Sequence, residues 1–122
     1  MILDAGCGEG SHLYSVCREY LHEKMGVVGI GIDIAKEGIL VGAKHYYDLI
    51  FCAADLTEPP FCDEQFHVIL NILSPSNYKA FRRLLKKDGF LLKVVPIVAY
   101  LQEIRQALFV DPMKRRTRMR RL

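Results

Sequence analysis

Three glycines at alternate positions, Gly6, Gly8 and Gly10, follow a short apolar segment at the beginning of the chain. Two acidic side chains accompany them, because Asp4 precedes the first glycine and Glu9 lies between the last two. Glycines cluster where the backbone must adopt a positive φ or where a ligand approaches the main chain closely. The segment is therefore a candidate ligand-binding loop, and the alternative is a tight turn that allows close helix packing.

The spacing of the glycines distinguishes between possible ligands. A dinucleotide-binding loop has the pattern GxGxxG, but position 11 is Ser11, and a P-loop requires a lysine that the segment 6–12 lacks. Two carboxylates would also repel a pyrophosphate. The loop therefore favours a ligand that carries positive charge.

Apolar segments alternate with helical patterns along the chain, which predicts an α/β domain with a Rossmann-like, doubly wound, mostly parallel sheet. The predicted strands are 1–5, 27–32, 49–53, 66–72 and 90–95. Helices are predicted over 13–21, 39–47 and 98–109, and another is predicted to begin at Ser74 and Pro75. Ligands of such sheets bind beyond the carboxyl ends of the strands, where the glycine loop lies.

A second acidic position follows from the same architecture. Asp33 ends the second predicted strand, about 20 residues after the glycines, where a carboxylate can accept hydrogen bonds from both ribose hydroxyls of a nucleoside. The alternative is that Asp33 caps the helix that follows, and the two roles are compatible.

Four motifs in order resemble the class I S-adenosylmethionine-dependent methyltransferases: DAGCGEG at 4–10, GIGIDIA at 29–35, AADLTEPPFCDEQFHVIL at 53–70 and FRRLLKKDGFLLKV at 81–94. The resemblance implies S-adenosylmethionine, which bears an ammonium and a sulfonium, as the cofactor. It implies these cofactor-binding residues: Asp4, Gly6, Cys7, Gly8, Glu9, Gly10, His12, Asp33, Ile34, Ala54, Asp55, Leu56 and Asn71. The alternative for His12 is that it is a solvated surface residue without a role in cofactor binding. His67 stands where the family has an aspartate, which leaves the part of that aspartate in orienting the loop open.

The substrate side is more specific to one branch of the family. The CGEG of the loop, Ile72 to Pro75 after the fourth strand, and the segment 94–108 resemble the bacterial 23S rRNA (guanine-N1)-methyltransferases. The resemblance implies that Asn71, Ser74 and Pro75 position a guanine of ribosomal RNA for methylation. Tyr78 either stacks on that base or packs in the core. The alternatives are a small-molecule methyltransferase of the same fold and a non-catalytic cofactor-binding fragment.

Composition and charge limit which metals, membranes or nucleic acids the chain is expected to bind. The four cysteines have no metal-ligand spacing, which predicts reduced thiols in a cytoplasmic protein and no metal site. No apolar segment is long enough to span a membrane. Six basic residues lie between 114 and 121, and without them the remaining 11 basic and 14 acidic residues carry a net charge of −3. We expect a methyltransferase domain over 1–110 and a basic tail over 111–122 that either contacts RNA or is solvated.

Both ends of the chain differ from what the resemblance to the rRNA methyltransferases implies. The related rRNA methyltransferases have an N-terminal zinc-binding module, and this sequence has no ligands for one. The family sheet closes with two further strands, and the sequence shows no pattern for them after Phe109. The fifth strand is therefore predicted to be an open edge, in a chain that is either truncated or covered there by a partner such as a second copy.

Overall fold

The computed structural model describes residues 1–22, 26–96 and 115–121 of the chain. Its strands are β1 (Ile2–Ala5), β2 (Gly29–Asp33), β3 (Ile50–Ala53), β4 (Phe66–Ile72), β5 (Leu85–Pro96) and β6 (Arg115–Arg121). Its helices are α1 (Ser11–His22), α2 (Lys36–His45) and α3 (Tyr78–Leu84). A helix follows each of β1, β2 and β4, whereas a long loop joins β3 to β4. This alternation confirms the predicted α/β class.

The sheet has the strand order β3-β2-β1-β4-β5-β6. Strands β1 to β5 are mutually parallel, and β6 pairs with β5 in the antiparallel direction. The chain builds outwards from β1 to β3 and then returns to place β4 on the other side of β1. The loops after β1 and β4 therefore diverge, which opens a crevice at the carboxyl ends of these two strands.

The two faces of the sheet bury separate apolar clusters. Leu3, Phe66 and Phe81 belong to one cluster, on the side covered by α3. Leu13 of α1 and Leu70 of β4 belong to the other. Because β1 lies between two strands and under helices, all of its residues are buried. The apolar runs that predicted β1, β2 and β4 thus fill the core, whereas the residues of the edge strand β3 are exposed or half-buried.

Helix α2 lies against the glycine loop because two of its residues lack side chains. A Cβ at Gly38 would lie 3.1 Å from the backbone of Gly8, and a Cβ at Gly42 would lie 2.7 Å from the carbonyl oxygen of Glu9. Residues four apart lie on one side of a helix, so Gly38 and Gly42 form a single flat strip facing the loop. This contact holds the glycine loop in place against α2, and no local sequence pattern predicts it.

Helix α3 begins later than the sequence predicts. Its N-cap is Asn77, whose side-chain oxygen accepts a hydrogen bond from the Ala80 N–H at 3.2 Å. Ser74 and Pro75 lie before the helix instead, because the Pro75 carbonyl is held by the side chain of Asn71. The three-residue difference matters for function, since it leaves the segment 74–77 as a loop that faces the crevice.

The structure adds one strand that the sequence analysis did not find. β6 pairs with β5 from Phe90↔Arg121 to Pro96↔Arg115, so the edge of β5 that was expected to be open is covered over this length. The basic tail is therefore a strand over Arg115–Arg121 in the described structure. Met119 is its one apolar residue, so the strand shows none of the apolar alternation by which strands are recognised in a sequence. The helix predicted over 98–109 lies outside the described residues.

Candidate functional site

A cavity of about 280 Å³ opens at the carboxyl end of the sheet, in the crevice between β1 and β4. Seven of the predicted site residues line it: Gly6, Asp33, Ile34, Asp55, Leu56, Ser74 and Pro75. Three residues that the prediction omitted complete the lining: Thr57, Ser76 and Asn77. Asn77 could have been found from its position before a helix, where asparagine is a favoured cap.

The glycine loop owes its course to three left-handed residues. Gly6, Gly8 and Gly10 have φ angles of +85°, +55° and +82°, which residues with side chains rarely adopt. A Cβ at Gly6 would collide with the Ser74 side chain, and one at Gly10 would lie 2.6 Å from the Phe51 ring. A Cβ at Gly8 would meet no atom within 4 Å. Gly6 and Gly10 therefore serve packing as well as conformation, whereas Gly8 borders open space.

Asp33 joins the loop to the second strand. Its Oδ2 accepts a hydrogen bond from the Gly8 N–H at 2.9 Å, and its Oδ1 accepts one from the Ala35 N–H at 2.9 Å. The N-cap of α2 is Ala35, and the helix has no side-chain cap hydrogen bond, so Asp33 does not cap it as the alternative predicted. The bond to the Ala35 N–H instead holds the turn that leads into α2, and Asp33 also lines the cavity. A carboxylate can accept about four hydrogen bonds. Two acceptor positions of Asp33 are therefore available to a ligand.

Asp4 is a buried carboxylate beneath the same loop. The side chain is 1% exposed, and its Oδ1 has no hydrogen-bond partner among the described residues. Burial, and to a smaller extent the charge of Asp33, raise the pKa of Asp4 from its ordinary value of 3.8 to about 7. A buried acceptor without a partner is unfavourable unless a ligand or a proton satisfies it. Asp4 does not line the cavity, so its predicted contact with a cationic cofactor stays a prediction.

The raised pKa of Asp4 makes folding stability depend on pH. Because the folded chain holds this proton more tightly than the unfolded chain, the free energy of unfolding falls as the pH rises from 3.8 to about 7. We expect the Asp4→Asn variant to lack this contribution, which has a maximal slope of about 1.4 kcal/mol per pH unit for one proton. Urea unfolding between pH 4 and 8 measures the slope. The exposed Asp48→Asn variant should keep the wild-type slope, and equal slopes in both variants would contradict the assignment.

The chain turns sharply after β4. Leu73 has a φ of +51°, a left-handed conformation that is unfavourable for a residue with a branched side chain. Its N–H donates a hydrogen bond to the Val94 carbonyl of β5 at 3.0 Å. Backbone strain of this kind persists only where surrounding contacts hold it. The contacts responsible come from the strand ends on either side.

Asn71 is the centre of those contacts. Its side-chain N–H groups donate to the Ala5 carbonyl at 2.9 Å and to the Pro75 carbonyl at 3.1 Å. Its oxygen accepts from the Ser76 hydroxyl at 2.8 Å and from the Lys93 ammonium at 2.7 Å. All donors and acceptors of the carboxamide are thereby used. Asn71 is fully buried, so its side chain holds the 74–77 segment and has no free polar group for a ligand.

Lys93 is a site residue that the prediction missed. It lies opposite Asn71 in the register of β4 and β5, and its ammonium also contacts the Ser76 hydroxyl. A single lysine within the apolar run FLLKVV of β5 was the available signal. Its partners are separated from it by 17 to 22 residues, so the contact depends on strand register. Lys93 and Asn71 together fix the loop after β4.

Removing the Lys93 ammonium should loosen this loop. We expect Lys93→Met to lower the free energy of unfolding by about 1–2 kcal/mol, because hydrogen bonds to a charged group are lost and Ser76 loses a partner. The exposed Lys44→Met variant is the matched control and should change it by less than about 0.5 kcal/mol. Chemical denaturation of both variants tests this, and equal stabilities would exclude a positioning role for Lys93.

The remaining predicted loop residues divide into buried and exposed ones. Cys7 is buried under the sheet edge, where its thiol lies close to Gly31 and donates to the Gly8 carbonyl at 3.5 Å. Burial raises the pKa of Cys7 to about 12, so the thiol is protonated and uncharged. Glu9 and His12 are both exposed. None of these three side chains lines the cavity, so their predicted cofactor contacts stay predictions.

The loop after β3 supplies the far side of the cavity. Asp55 is exposed, and its Oδ1 accepts a hydrogen bond from the Thr57 N–H at 2.9 Å, which lowers the pKa of this carboxyl. Leu56 adds an apolar wall and also packs against the core. Ala54 packs against the core too, and its N–H donates to the Asp33 carbonyl at 3.1 Å. Ala54 thus supports the wall without lining it.

His67 lies at the opposite end of the sheet from the cavity. It is the second residue of β4, whereas the crevice is formed by residues that follow this strand. The side chain is exposed, and the partial loss of water around its ring lowers the pKa of His67. The substitution of histidine for the usual family aspartate therefore does not alter the lining of the crevice.

The described part of the chain shows neither a metal cluster nor a membrane-spanning helix. Within residues 1–22, 26–96 and 115–121, no three His, Cys, Asp or Glu side chains are grouped as metal ligands. The four cysteines are free thiols. None of the helices in these ranges is long and apolar enough to cross a bilayer.

The crevice at the carboxyl ends of β1, β2 and β4, with its glycine loop and acidic residues, is matched by a known family. A family described as a methyltransferase domain matches residues 2–89. The chain belongs to the methyltransferase domain family. This methyltransferase domain therefore includes every strand end that lines the cavity, since the match extends from β1 into β5.

The chain is also similar to individual curated proteins. The methyltransferase domain is 51% identical over 114 residues to YxjB of Bacillus subtilis (strain 168), which is named as a 23S rRNA (guanine-N1)-methyltransferase. It is 30% identical over 108 residues to a 23S rRNA (guanine(748)-N(1))-methyltransferase of Streptomyces fradiae. The alignments cover 93% and 88% of this chain but only 40% and 37% of the relatives. The chain thus spans about two fifths of the length of these relatives.

Solved structures support the fold. The PH0226 protein of Pyrococcus horikoshii OT3 superposes with a TM-score of 0.67 at 23% identity, over 88% of this chain and 52% of that one. Geranyl diphosphate C-methyltransferase of Streptomyces coelicolor A3(2), solved with S-adenosyl-L-homocysteine, gives 0.64 at 16% identity, over 86% and 44%. At these identities the likeness concerns the fold, and it confirms the Rossmann-like architecture of the methyltransferase domain.

The residues of the crevice fit the cofactor that the fold family implies. Asp4 offers an unpartnered buried oxygen to a cationic group, and Asp33 has two free acceptor positions for hydroxyls. The open space at Gly8 lets a ligand reach the backbone. Ile34 and Leu56 add apolar surface for a planar ring system. S-adenosylmethionine carries cationic groups, a ribose diol, an adenine ring and a carboxylate, and the residues named here are complementary to the first three.

Proposed function

We propose that this chain is the S-adenosylmethionine-binding domain of a methyltransferase that methylates guanine N1 in 23S ribosomal RNA. The observation that carries the proposal is the 51% identity to YxjB over 93% of the chain, in a domain whose crevice has the acidic residues and glycine loop described above. The relatives are more than twice as long as the aligned region, so we assign the cofactor-binding part of the activity to this chain.

The cofactor residues have distinct roles in the proposal. When bound, S-adenosylmethionine supplies a methyl group on a positively charged sulfur. Asp4 balances positive charge from below the loop, and Asp33 accepts the ribose hydroxyls while its bond to Gly8 keeps the loop in place. Leu56 and Ile34 enclose the adenine, and Asp55 lies beside it at the rim. Rigid placement of this kind is the main contribution that a protein makes to a displacement reaction.

The substrate side is the segment 74–77. Its position is set from behind by Asn71 and Lys93, so the segment is preorganised before a base arrives. The hydroxyl of Ser74 and the ring of Pro75 line the cavity and are the groups that we assign to the edge and face of the guanine. Tyr78 packs edge-on against Phe81 with ring centroids 6.3 Å apart, but 37% of it is exposed, so stacking on the base and packing against the core both stay predictions. Asn71 thus acts as a positioning residue in this proposal.

Two measurements test the proposed function. Isothermal titration calorimetry with S-adenosylhomocysteine tests the cofactor, and we expect saturable binding that also raises the melting temperature. Nucleoside analysis of 23S rRNA from a strain that lacks the gene tests the substrate, and we expect one guanine-N1 methyl group to be lost. Retention of every such group, with cofactor binding intact, would favour a small-molecule methyltransferase. Absence of cofactor binding would favour a non-catalytic fragment.

The proposed substrate also sets the proposed location. Ribosomal RNA is modified where ribosomes are assembled, so we propose a cytoplasmic protein whose partner is RNA. Fractionation of cells that express the tagged protein tests this, and recovery in the membrane pellet under ribosome-free conditions would contradict it.

A further inference from the structure

Charge is divided unevenly along this chain. Residues 1–77 contain eleven acidic and four basic side chains, a net charge of −7, whereas residues 78–122 contain thirteen basic and three acidic ones, a net charge of +10. The boundary coincides with the start of α3 at Tyr78. The described parts of this basic half, residues 78–96 and 115–121, form α3 and the neighbouring strands β5 and β6 at one side of the sheet. The net charge of +3 conceals this separation.

Four exposed cations form what we call the cationic face: Lys79, Arg82, Lys86 and Lys87. Lys79 and Arg82 lie one turn apart on α3, and Lys86 and Lys87 follow at the start of β5. Within the described residues, none of the four forms an ion pair or a side-chain hydrogen bond. Arg83 differs from them, because its guanidinium binds Asp63 at 2.8 Å and the carbonyls of Phe61 and Pro59. Arg83 holds the loop before β4, and the other four are available to an external anion.

The cationic face meets the cofactor crevice at Lys79 and extends along α3 to the other end of the sheet, where Lys86 lies near the N-terminal amine and His67. A second cavity of about 280 Å³ shares Thr57 and Asn77 with the first and is lined on its other side by Lys79 and Arg83. Helix α3 runs from this shared rim for about 10 Å, at 1.5 Å per residue. The cavity also contains Glu58, so its positive charge comes from the α3 side alone. A polyanion whose reacting group entered the first cavity would therefore meet Lys79 first and then Arg82.

We propose that the cationic face and the adjoining second cavity bind the phosphate backbone of the RNA that flanks the target nucleotide. This inference rests on the proposed function for its ligand. Unpaired Lys and Arg side chains release counterions when they neutralise phosphates, which gives affinity without base specificity. The face thus holds the RNA in register, and the segment 74–77 receives the base.

A matched pair of double variants tests the proposal. The first replaces one arginine and one lysine of the face, Arg82→Gln with Lys79→Gln on α3, and the control replaces Arg18→Gln with Lys44→Gln on α1 and α2. Both remove the same charge, so a long-range effect of net charge would be equal in the two. Binding to a fluorescent RNA hairpin with guanines in its loop is measured by anisotropy over a range of NaCl concentrations, with melting temperatures as a check on folding. Lys79→Gln with Lys87→Gln is a second test of the face if the first variant is unstable.

We expect the face variants to weaken RNA binding about tenfold and to reduce the slope of log K against log salt by about 1.4, as two lost contacts to a single strand predict. The control should stay within about twofold of wild type. Equal losses in the face and control variants, or no loss in the face variants, would overturn the proposal, as would a wild-type chain that does not bind the hairpin.

Methyl transfer to 23S rRNA is measured in parallel, so that failure of the cationic face can be distinguished from failure of the proposed methyltransferase function. Transfer by the wild type and by both double variants at equal rates and equal RNA affinities would overturn the cationic face but leave the proposed function in place. Absence of transfer by the wild type, with salt-dependent RNA binding through the face, would overturn the proposed reaction instead.

Discussion

The Gly8→Val variant is expected to lose S-adenosylhomocysteine binding completely in calorimetry. A Cβ at this position meets no protein atom within 4 Å, so the new side chain would project into the space that the proposed ligand needs. The φ of +55° adds a second effect, since a β-branched residue in the left-handed region is strained by about 1–3 kcal/mol. The strain would move the Gly8 N–H away from Asp33 and weaken the loop further.

Gly26→Val provides the matched control for this experiment. Its Cβ also meets no atom within 4 Å, but Gly26 does not have a left-handed φ and lies outside the glycine loop, before β2. We expect this variant to bind the cofactor product as the wild type does. Wild-type affinity in Gly8→Val would remove the glycine loop from the binding site, whereas loss of binding in both variants would indicate a general loss of structure.

The second large effect is expected at Asp33. Its replacement by alanine removes the proposed acceptor for the ribose hydroxyls and the support of the Gly8 N–H, so cofactor affinity should fall by about 1.5–3 kcal/mol, the range for hydrogen bonds to a charged group. That range corresponds to a loss of about 10- to 150-fold in affinity. Isothermal titration calorimetry at pH 7 gives the value directly.

Two further variants separate the roles of Asp33. Asp33→Asn keeps one oxygen for the Ala35 N–H and removes the charge, so it should preserve the turn before α2 while still weakening cofactor binding. The exposed Asp48→Ala variant should bind normally. Equal affinity of Asp33→Ala and wild type would show that the ribose contact is assigned to the wrong residue.

The elements of the sheet were predictable because their information is local. The buried strands β1 and β4 are continuous apolar runs, and the helices show apolar spacing that needs no knowledge of the partner. Local information also misled the analysis at α3. Ser74 and Pro75 form a good helix start in isolation, but the bonds from Asn71 to Pro75 and from Asn77 to Ala80 favour a start three residues later.

The site was predictable to the extent that it depends on backbone conformation. Glycine spacing identified the loop, and the position of Asp33 at a strand end identified a cavity residue. The role of Asn71 was not predictable, because its four partners come from β1, β5 and the loop after β4. Lys93 illustrates the same limit, since its contact arises only when β4 and β5 pair in one particular register. Strand β6 lacks the apolar alternation on which recognition depends.

The approach of Ser74 to Gly6 has a thermodynamic consequence. The side chain of Ser74 fills the volume that a Cβ of Gly6 would occupy, so the loop after β1 and the loop after β4 cannot move independently at this point. Any ligand that shifts one loop changes the free energy of the other, and linkage requires the effect to be reciprocal. Cofactor and substrate should therefore alter each other's dissociation constants by the same factor, with no direct contact between the two ligands required.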